Sequence, residues 1–411
     1  MSGIQDIVIV GAGAAGLAAA STLINAKRSV IVLEAKDRIG GRVFTDTQSI
    51  GCSWDHGAHW LHDHRQNPFI TFAQKSGIAV EHSLEESYFW AGNRWADCSL
   101  IRDYHAYCDL VFDRITVLGL SDVDASVETA LPPHFLYKRM FKAWYTSFSG
   151  KEPRCSSVLD ECRYRNESGN RRVRVGFGTL LARYGKKIPV WLNTPVQRID
   201  WSGRRVILKT PSGSVNAAAV IVTVSNAVLE KGGIHFSPVL PPSFTAAVEG
   251  IPLGEAEKIA LAFDRDVFGI SDSQLVFVEQ TLETAQFQIR PFGMNVAIAY
   301  VAGRFARHLV DIGKAAMIDF AISKLSDVFG SRIQNHVTHT YSTSWCADPH
   351  IGGGYSTAKP GAAGGRELLG EPFSTNLFFA GEAHSIDGYG TVHGAYNSGV
   401  KTANYIATQV Y

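Results

Sequence analysis

Nothing in the 411 residues supplies the dense cysteine framework that holds small secreted domains together. Six cysteines stand at positions 52, 98, 108, 155, 162 and 346, with no Cys-x-x-Cys pair. Reduced thiols in a cytoplasmic setting are therefore expected. An excess of one charge sign is missing too, because Lys plus Arg number 39 and Asp plus Glu 38. No broad field favours nucleic acid or an anionic membrane as partner. No apolar run approaches the roughly 20 residues of a membrane span. The stretch from Ser2 to Asp6 runs straight into Ile7-Val8-Ile9-Val10, without the basic and long apolar regions of a secretory leader. A soluble chain is the expectation. Internal repeats and low-complexity tracts are lacking, and a content of 45% hydrophobic and 19% charged residues argues against extensive disorder. The length exceeds one ordinary hydrophobic core, so two intertwined domains able to enclose a ligand are expected.

What is present begins with a βαβ pattern: strand Ile7 to Val10, glycine turn Gly11 to Gly16, helix Leu17 to Asn25, strand Ser29 to Leu33. A short helix is expected from Phe69 to Gly77, and a mostly helical, aromatic region from Tyr88 to Tyr184. Within it Tyr137, Phe141, Trp144, Tyr145 and Phe148 recur at helical spacing, as a core stripe or as the wall of a substrate pocket. Val190 to Val224 reads as successive strands, and Glu255 to Phe263 as an alternating strand. Asp311 to Phe329 reads as one helix, Asn376 to Gly381 as a short strand and His393 to Val410 as a closing helix.

Gly11-Ala12-Gly13-Ala14-Ala15-Gly16 satisfies G-x-G-x-x-G between a buried-looking strand and an alanine-rich helix. Gly11 permits the tight turn, Gly13 lets the backbone approach a pyrophosphate, and Gly16 lets the helix pack on the sheet. The helix N-terminus then points at the anion. Glu34 ends the second strand where a carboxylate bonds the adenosine ribose. This fingerprint suits NAD and FAD equally. A second glycine pair in Ala35-Lys36-Asp37-Arg38-Ile39-Gly40-Gly41-Arg42 favours FAD, since the backbone approaches a ligand again at Gly41 and Arg42 can meet a phosphate. The plainer alternative is a turn followed by a solvated arginine.

Three blocks together resemble the flavin amine oxidase family, which spans monoamine, polyamine and L-amino-acid oxidases and histone demethylases. They are Ile7 to Thr45, then Gly57-Ala58-His59-Trp60-Leu61-His62, then Phe378 to His384 continuing through Thr391-Val392-His393-Gly394-Ala395. The resemblance is closest in motif to polyamine oxidases. It implies an α/β fold: a discontinuous, Rossmann-like FAD-binding domain from 1–77, 186–250 and 345–411, and a substrate domain of mixed sheet and helices from 78–185 and 251–344. It also implies that Gly57, Ala58, His59 and Trp60 face the flavin, that Val196 meets the adenine through its backbone, and that Gly381 and Glu382 lie by the ribityl-diphosphate. The Val392 amide would face the pyrimidine edge of the ring system, where the positive end of a helix favours the charge that accumulates on reduction. Gly354 stands where monoamine oxidases carry the cysteine that attaches FAD, so the cofactor is expected to be non-covalent.

For the chemistry, the resemblance places Lys258 behind flavin N5 through a water, against the plainer reading of an exposed lysine at a strand end. Tyr355 forms one wall of an aromatic cage, and Thr391 replaces the tyrosine of the other wall, with Tyr389 as a substitute. Trp345 either flanks the flavin or packs in the core. His62 matches a tunnel histidine able to bond or deprotonate an ammonium. His56, His59, His62 and His64 with Asp55 and Asp63 form the densest polar cluster, but their spacing matches no common zinc motif and no metal is expected. The implied activity is oxidation of an amine, polyamine-like for preference, to an imine or aldehyde with oxygen reduced to hydrogen peroxide. Small amine and oxygen are the expected partners of a monomer or homodimer. Three alternatives stay open: an L-amino-acid oxidase using Arg290 or Arg94 as carboxylate clamp, a desaturase-like or protoporphyrinogen-oxidase-like flavoprotein, and a flavin-bound interaction protein without turnover.

Overall fold

Strand Ile4–Val10 lies near the middle of an eight-stranded sheet, with parallel neighbours Gly213–Val222 and Val30–Leu33. Its unbroken apolar run from Ile7 to Val10 is what a strand covered on both faces requires. Ile7 and Ile9 face the helices Ala14–Asn25 and Val392–Gln409, while Val8 and Val10 face a second core that contains Phe244 and Phe379. The sheet runs His235–Ser237, Arg198–Asp200, Val206–Thr210, Gly213–Val222, Ile4–Val10, Val30–Leu33, Val190–Trp191. Leu377–Phe379 adds in parallel beside the end of Gly213–Val222. The computed structural model describes residues 4–82, 86–121, 123–279 and 281–409.

Gly399 explains how the two chain ends meet. A Cβ there would stand 2.1 Å from the Ala15 carbonyl oxygen, so only glycine lets the last helix lie this close to the first. The first helix starts at Ala14, inside the glycine motif and earlier than the expected Leu17. The last starts at Val392, and its expected end, Val410, lies outside the described residues.

A second, six-stranded sheet orders Val337–Ser342, Ala256–Phe263, Val296–Ala302, Gln286–Ile289, Ser273–Phe277 and Glu86–Trp90. It is antiparallel except for the last pair. The strand expected to alternate is instead buried from Glu257 to Phe263. Ile259, Leu261 and Phe263 meet Met317, Ala321 and Leu325 of helix Lys314–Phe329, while Ala260 and Ala262 pack on Ile50 and Trp54. The helix expected from Asp311 to Phe329 is two helices, Gly303–Ile312 and Lys314–Phe329, broken at Gly313, whose φ is 119°.

Helices Cys98–Gly119, Phe135–Ser149 and Val158–Arg163 build the aromatic region, as its periodicity predicts. Glu86–Trp90 and Arg171–Arg172 are strands that the helical reading missed, both short and both stabilised by partners distant in sequence. The expected helix at Phe69 to Gly77 spans Pro68–Lys75, with the Asn67 side chain accepting from the Phe69 amide at its start. Among the described residues all six cysteines are free thiols, and no helix is long and apolar enough to cross a membrane.

Candidate cofactor and active site

The carboxyl ends of three parallel strands, at Val10, Leu33 and Val222, open on one cavity of about 900 Å³ that continues to the second sheet. Ligand sites of open α/β sheets lie at that edge. Gly11, with φ 105°, turns the chain, and Gly13 has no atom within 4 Å of the place where a Cβ would stand. Gly41, with φ 56°, faces it, its own Cβ position 3.7 Å from the Gly13 Cα. Two bare backbone turns thus border open space, with the N-terminus of helix Ala14–Asn25 behind them. Gly16 alone of the expected cofactor residues does not line the cavity. A Cβ on it would stand 1.9 Å from the Gly11 oxygen, so it serves the packing of helix on turn.

Glu34 is buried and held, its carboxylate accepting from the Ala12 amide at 2.7 Å and the Lys36 amide at 2.9 Å. A carboxylate so oriented keeps lone pairs for ribose hydroxyls. Ala14, Ala15, Ala35 and Val196 line the same end of the cavity. Arg42 has a partner within the chain. One guanidinium nitrogen donates to Glu382 at 2.9 Å and to the Gly354 carbonyl at 2.6 Å. Glu382 also accepts from the Ser356 hydroxyl at 2.6 Å and the Gly390 amide at 2.8 Å. Burial alone would raise its pKa, but Arg42, Ser356 and Arg366 outweigh burial and hold it below the usual carboxylate range. The pair ties the second glycine turn to the Gly381 turn across the cavity.

Lys258 is no exposed strand-end lysine. It is 7% exposed, and its ammonium donates to the carbonyls of Asp55 at 2.9 Å and Gly57 at 2.6 Å. A lysine ammonium has three donors, so two carbonyls leave one over. Burial lowers its pKa to about 8, against the opposing attraction of Asp55. Gly57 lies against the Arg42 backbone, where a Cβ would stand 1.9 Å from the Arg42 oxygen, so only glycine fits there. Ala58, Trp60 and Trp345 line this part of the cavity, and the Trp345 indole donates to the His56 carbonyl at 3.1 Å.

The histidines of the dense cluster take separate partners. His56 meets Asp46 and His59 meets Asp55, both at 3.1 Å; His64 contacts Arg171 at 3.2 Å. Among the described residues no group of three His, Cys, Asp or Glu side chains is placed to hold a metal ion. His62 Nδ1 lies 2.9 Å from Asn170 Oδ1, which also accepts from Asn166. Nδ1 therefore carries the proton and Nε2 a lone pair. Burial lowers the imidazole to about 4, so it is neutral at physiological pH.

Tyr355 lines the cavity and donates to the Ser147 carbonyl at 2.9 Å. Thr391 also lines it, but its hydroxyl donates to the Gly388 carbonyl at 2.6 Å and accepts from the Gly394 amide at 2.9 Å. It is the N-cap of the helix that begins at Val392. Tyr389 is clamped, with the Arg366 guanidinium 3.9 Å from its ring centre and Tyr164 edge-on at 5.2 Å. The aromatic stripe divides: Phe141 and Tyr145 are core, whereas Trp144 and Phe148, stacked at 5.5 Å, line the cavity. Arg290 is paired with Asp266, Arg94 is exposed, and neither borders the cavity. Sequence reasoning missed Glu161, Tyr164, Tyr300 and the glutamines Gln274, Gln286 and Gln288, all of which line it. The alternation of Gln286 and Gln288 on one strand face was the only signal that could have marked them.

Residues 14–157 and 120–407 match the family described as flavin containing amine oxidoreductase. Lysine-specific histone demethylase 2 of Homo sapiens is 29% identical over 444 residues, covering 98% of this chain and 53% of that protein. Polyamine oxidase 4 of Oryza sativa subsp. japonica is 27% identical over 450 residues, covering 97% of this chain and 88% of that protein. The chain thus spans about half the length of the demethylase and most of the polyamine oxidase. The solved cyclohexylamine oxidase from Brevibacterium oxydans superposes with a TM-score of 0.83 at 20% identity, over 99% of both chains.

Proposed function

We propose that this chain, which belongs to the flavin-containing amine oxidoreductase family, is an FAD-dependent oxidase that converts an amine and oxygen to an imine and hydrogen peroxide, the imine being hydrolysed by water to an aldehyde with release of ammonia or an amine. The observation that carries this reading is one cavity joining the bare turns at Gly13 and Gly41 to the buried ammonium of Lys258. The residues present fit FAD: an anion cradle that a Cβ at Gly13 would fill, a fixed carboxylate at Glu34, and two helix N-termini at Ala14 and Val392 on the same space. FAD, when bound, supplies the acceptor for a hydride from the amine α-carbon and passes the electron pair to oxygen.

The chain's own groups do the rest. Glu34 would take the ribose hydroxyls, Gly13, Gly41 and the first helix the diphosphate, and the Val196 backbone the adenine. The helix at Val392, capped by Thr391, would place its positive end by the flavin, where it would favour the charge of the reduced form. Lys258 would offer its remaining N–H to a water beside the flavin, and Trp345 flanks the same loop. Tyr355 and Trp60 bound the place of the amine with aromatic surface. His62 offers the amine an acceptor at Nε2. Lowered to about 4 by burial, it is a poor base for an alkylammonium. An L-amino-acid substrate finds no clamp in Arg290 or Arg94, since both lie off the cavity.

Anaerobic mixing with polyamines, acetylated polyamines, aromatic monoamines and amino acids tests the reading. Rapid loss of the flavin absorbance with one amine class is expected. Loss with a porphyrin-like or carotenoid-like compound alone would refute it. Turnover should also rise with pH towards the pKa of the bound amine, because only the neutral amine has the lone pair that assists hydride departure; a flat profile counts against the mechanism.

A further inference from the structure

His59 borders the cavity, yet both of its ring nitrogens are taken by the protein. The chain of bonds starts at Asp55, which is buried and accepts from the Thr45 hydroxyl at 2.6 Å and the Phe177 amide at 3.1 Å. Burial would raise the pKa of Asp55, but His59 and Thr45 hold it below the usual carboxylate range. An ionised carboxylate only accepts, so the proton sits on the facing His59 Nδ1, 3.1 Å away. In that tautomer Nε2 accepts from the Gln288 amide nitrogen at 3.5 Å, which turns the amide oxygen of Gln288 towards the Tyr300 hydroxyl at 3.3 Å. Each link sets the direction of the next. Tyr300 stands opposite Lys258 in the second sheet, and its ring centre lies 5.0 Å from the Lys258 ammonium.

A strained turn braces this chain from behind. Phe292 meets the His59 ring edge-on at 6.2 Å with φ 55°, and the neighbouring Arg290 and Asp272 have φ 49° and 50°. Arg172 holds Asp272 with two bonds at 2.6 and 2.7 Å, and the guanidinium groups of Arg172 and Arg174 lie 4.5 and 5.0 Å from the Phe292 ring centre. Such backbone strain persists only where the surroundings over-determine it. Here it presses one aromatic ring against a histidine of the cavity wall.

We propose that His59 is a positioning residue for Lys258: through Gln288 and Tyr300 it fixes the aromatic face on which the ammonium rests, and so the direction of the ammonium's remaining N–H. The proposal rests on the reading that places Lys258 beside FAD. Loop 55–59 then grips the lysine twice, by the Asp55 and Gly57 carbonyls directly and by the Asp55 and His59 side chains through the sheet. A cation held beside the ring system favours the negative charge that flavin gains on reduction. Loosening Tyr300 lets the ammonium move, and the flavin becomes harder to reduce.

The test is the reduction equilibrium of the bound flavin against a reference dye, without any amine, at pH 7, where Lys258 with its pKa of about 8 is cationic. It is measured in the FAD-loaded wild type, in His59→Leu and Tyr300→Phe, and in each of these combined with Lys258→Met. His59→Leu should shift the equilibrium towards oxidised flavin by about threefold or more, the lower end of the coupling between bonded residues. Tyr300→Phe keeps the ring, loses only the bond to Gln288, and should shift it the same way. With Lys258→Met already present both shifts should vanish. A shift that persists undiminished in Lys258→Met overturns the proposal, because His59 then acts on the flavin directly. No shift with Tyr300→Phe overturns it as well, even if His59→Leu does not fold. Since no amine enters the measurement, failure to oxidise any amine would refute the amine-oxidase reading and leave this result standing; a chain that holds no FAD overturns both.

Discussion

At the scale of single residues, Lys258 and Thr391 show how position in a motif and local bonding answer different questions. The lysine stands beside two glutamates in sequence, yet Glu255 pairs with Lys151 and Glu257 bonds Thr343 and the Cys346 amide. Neither neutralises Lys258, whose partners are two carbonyls from the Asp55 to Gly57 loop. Lys258→Met should retain FAD but slow turnover and oxygen-dependent reoxidation by about tenfold or more, equivalent to roughly 1.4 kcal/mol in the barrier. Unchanged rates of both would remove it from the mechanism. Thr391 was legible as a departure from a tyrosine wall. Its capping role was not, because that depends on the Gly388 to Gly394 turn closing around its hydroxyl.

Among elements, the decisive joint is between helices Ala14–Asn25 and Val392–Gln409. Two glycines at this joint allow opposite predictions. A methyl on Gly399 would collide with the Ala15 carbonyl, whereas the space at Gly13 is open. Gly399→Ala should therefore lower the thermal midpoint of the apoprotein, by an overpacking penalty of about 1–3 kcal/mol, and weaken FAD retention as a consequence. Gly13→Val should leave the apoprotein midpoint nearly unchanged and weaken FAD retention directly, by filling the cradle. Thermal unfolding with and without added FAD separates the two. If Gly13→Val destabilises the apoprotein as much as Gly399→Ala, the cradle is a packing element and not a ligand site. The glycine fingerprint was readable from spacing; Gly399 was not, because a glycine within a helical pattern has many possible reasons and only the partner helix supplies this one.

For the whole molecule, buried titratable groups set the response to pH. His56, His62 and His384 are each lowered to about 4, by burial before any other cause. Above the ordinary histidine range both folded and unfolded chains are neutral at these positions. As pH falls from about 6.5 to about 4 the unfolded chain takes up protons that the folded chain refuses, so stability is lost through that window. Glu161 opposes this. Its folded pKa is raised to about 7, by burial first, so between pH 7 and about 4.5 the folded chain keeps a proton that the unfolded chain releases, and stability is gained as pH falls. The thermal midpoint should drop by several degrees between pH 7 and pH 4.5, and more steeply in Glu161→Gln. A midpoint independent of pH across that range in the wild type would contradict the lowered pKa values of these histidines.

From its sequence alone this protein declared a dinucleotide fold, a second glycine turn suited to FAD and a family resemblance carried by three separated blocks. Such features rest on local rules: backbone freedom at glycine, strand and helix periodicity, and fixed spacings along the chain. Only the tertiary structure decided which side chains share the cavity. It set Glu161 against Tyr389, split the aromatic stripe between core and wall, gave Arg42 to Glu382 and kept Arg290 away. The reason is physical: burial, desolvation and pairing depend on contacts between segments far apart in sequence, and no local pattern encodes which of them will meet.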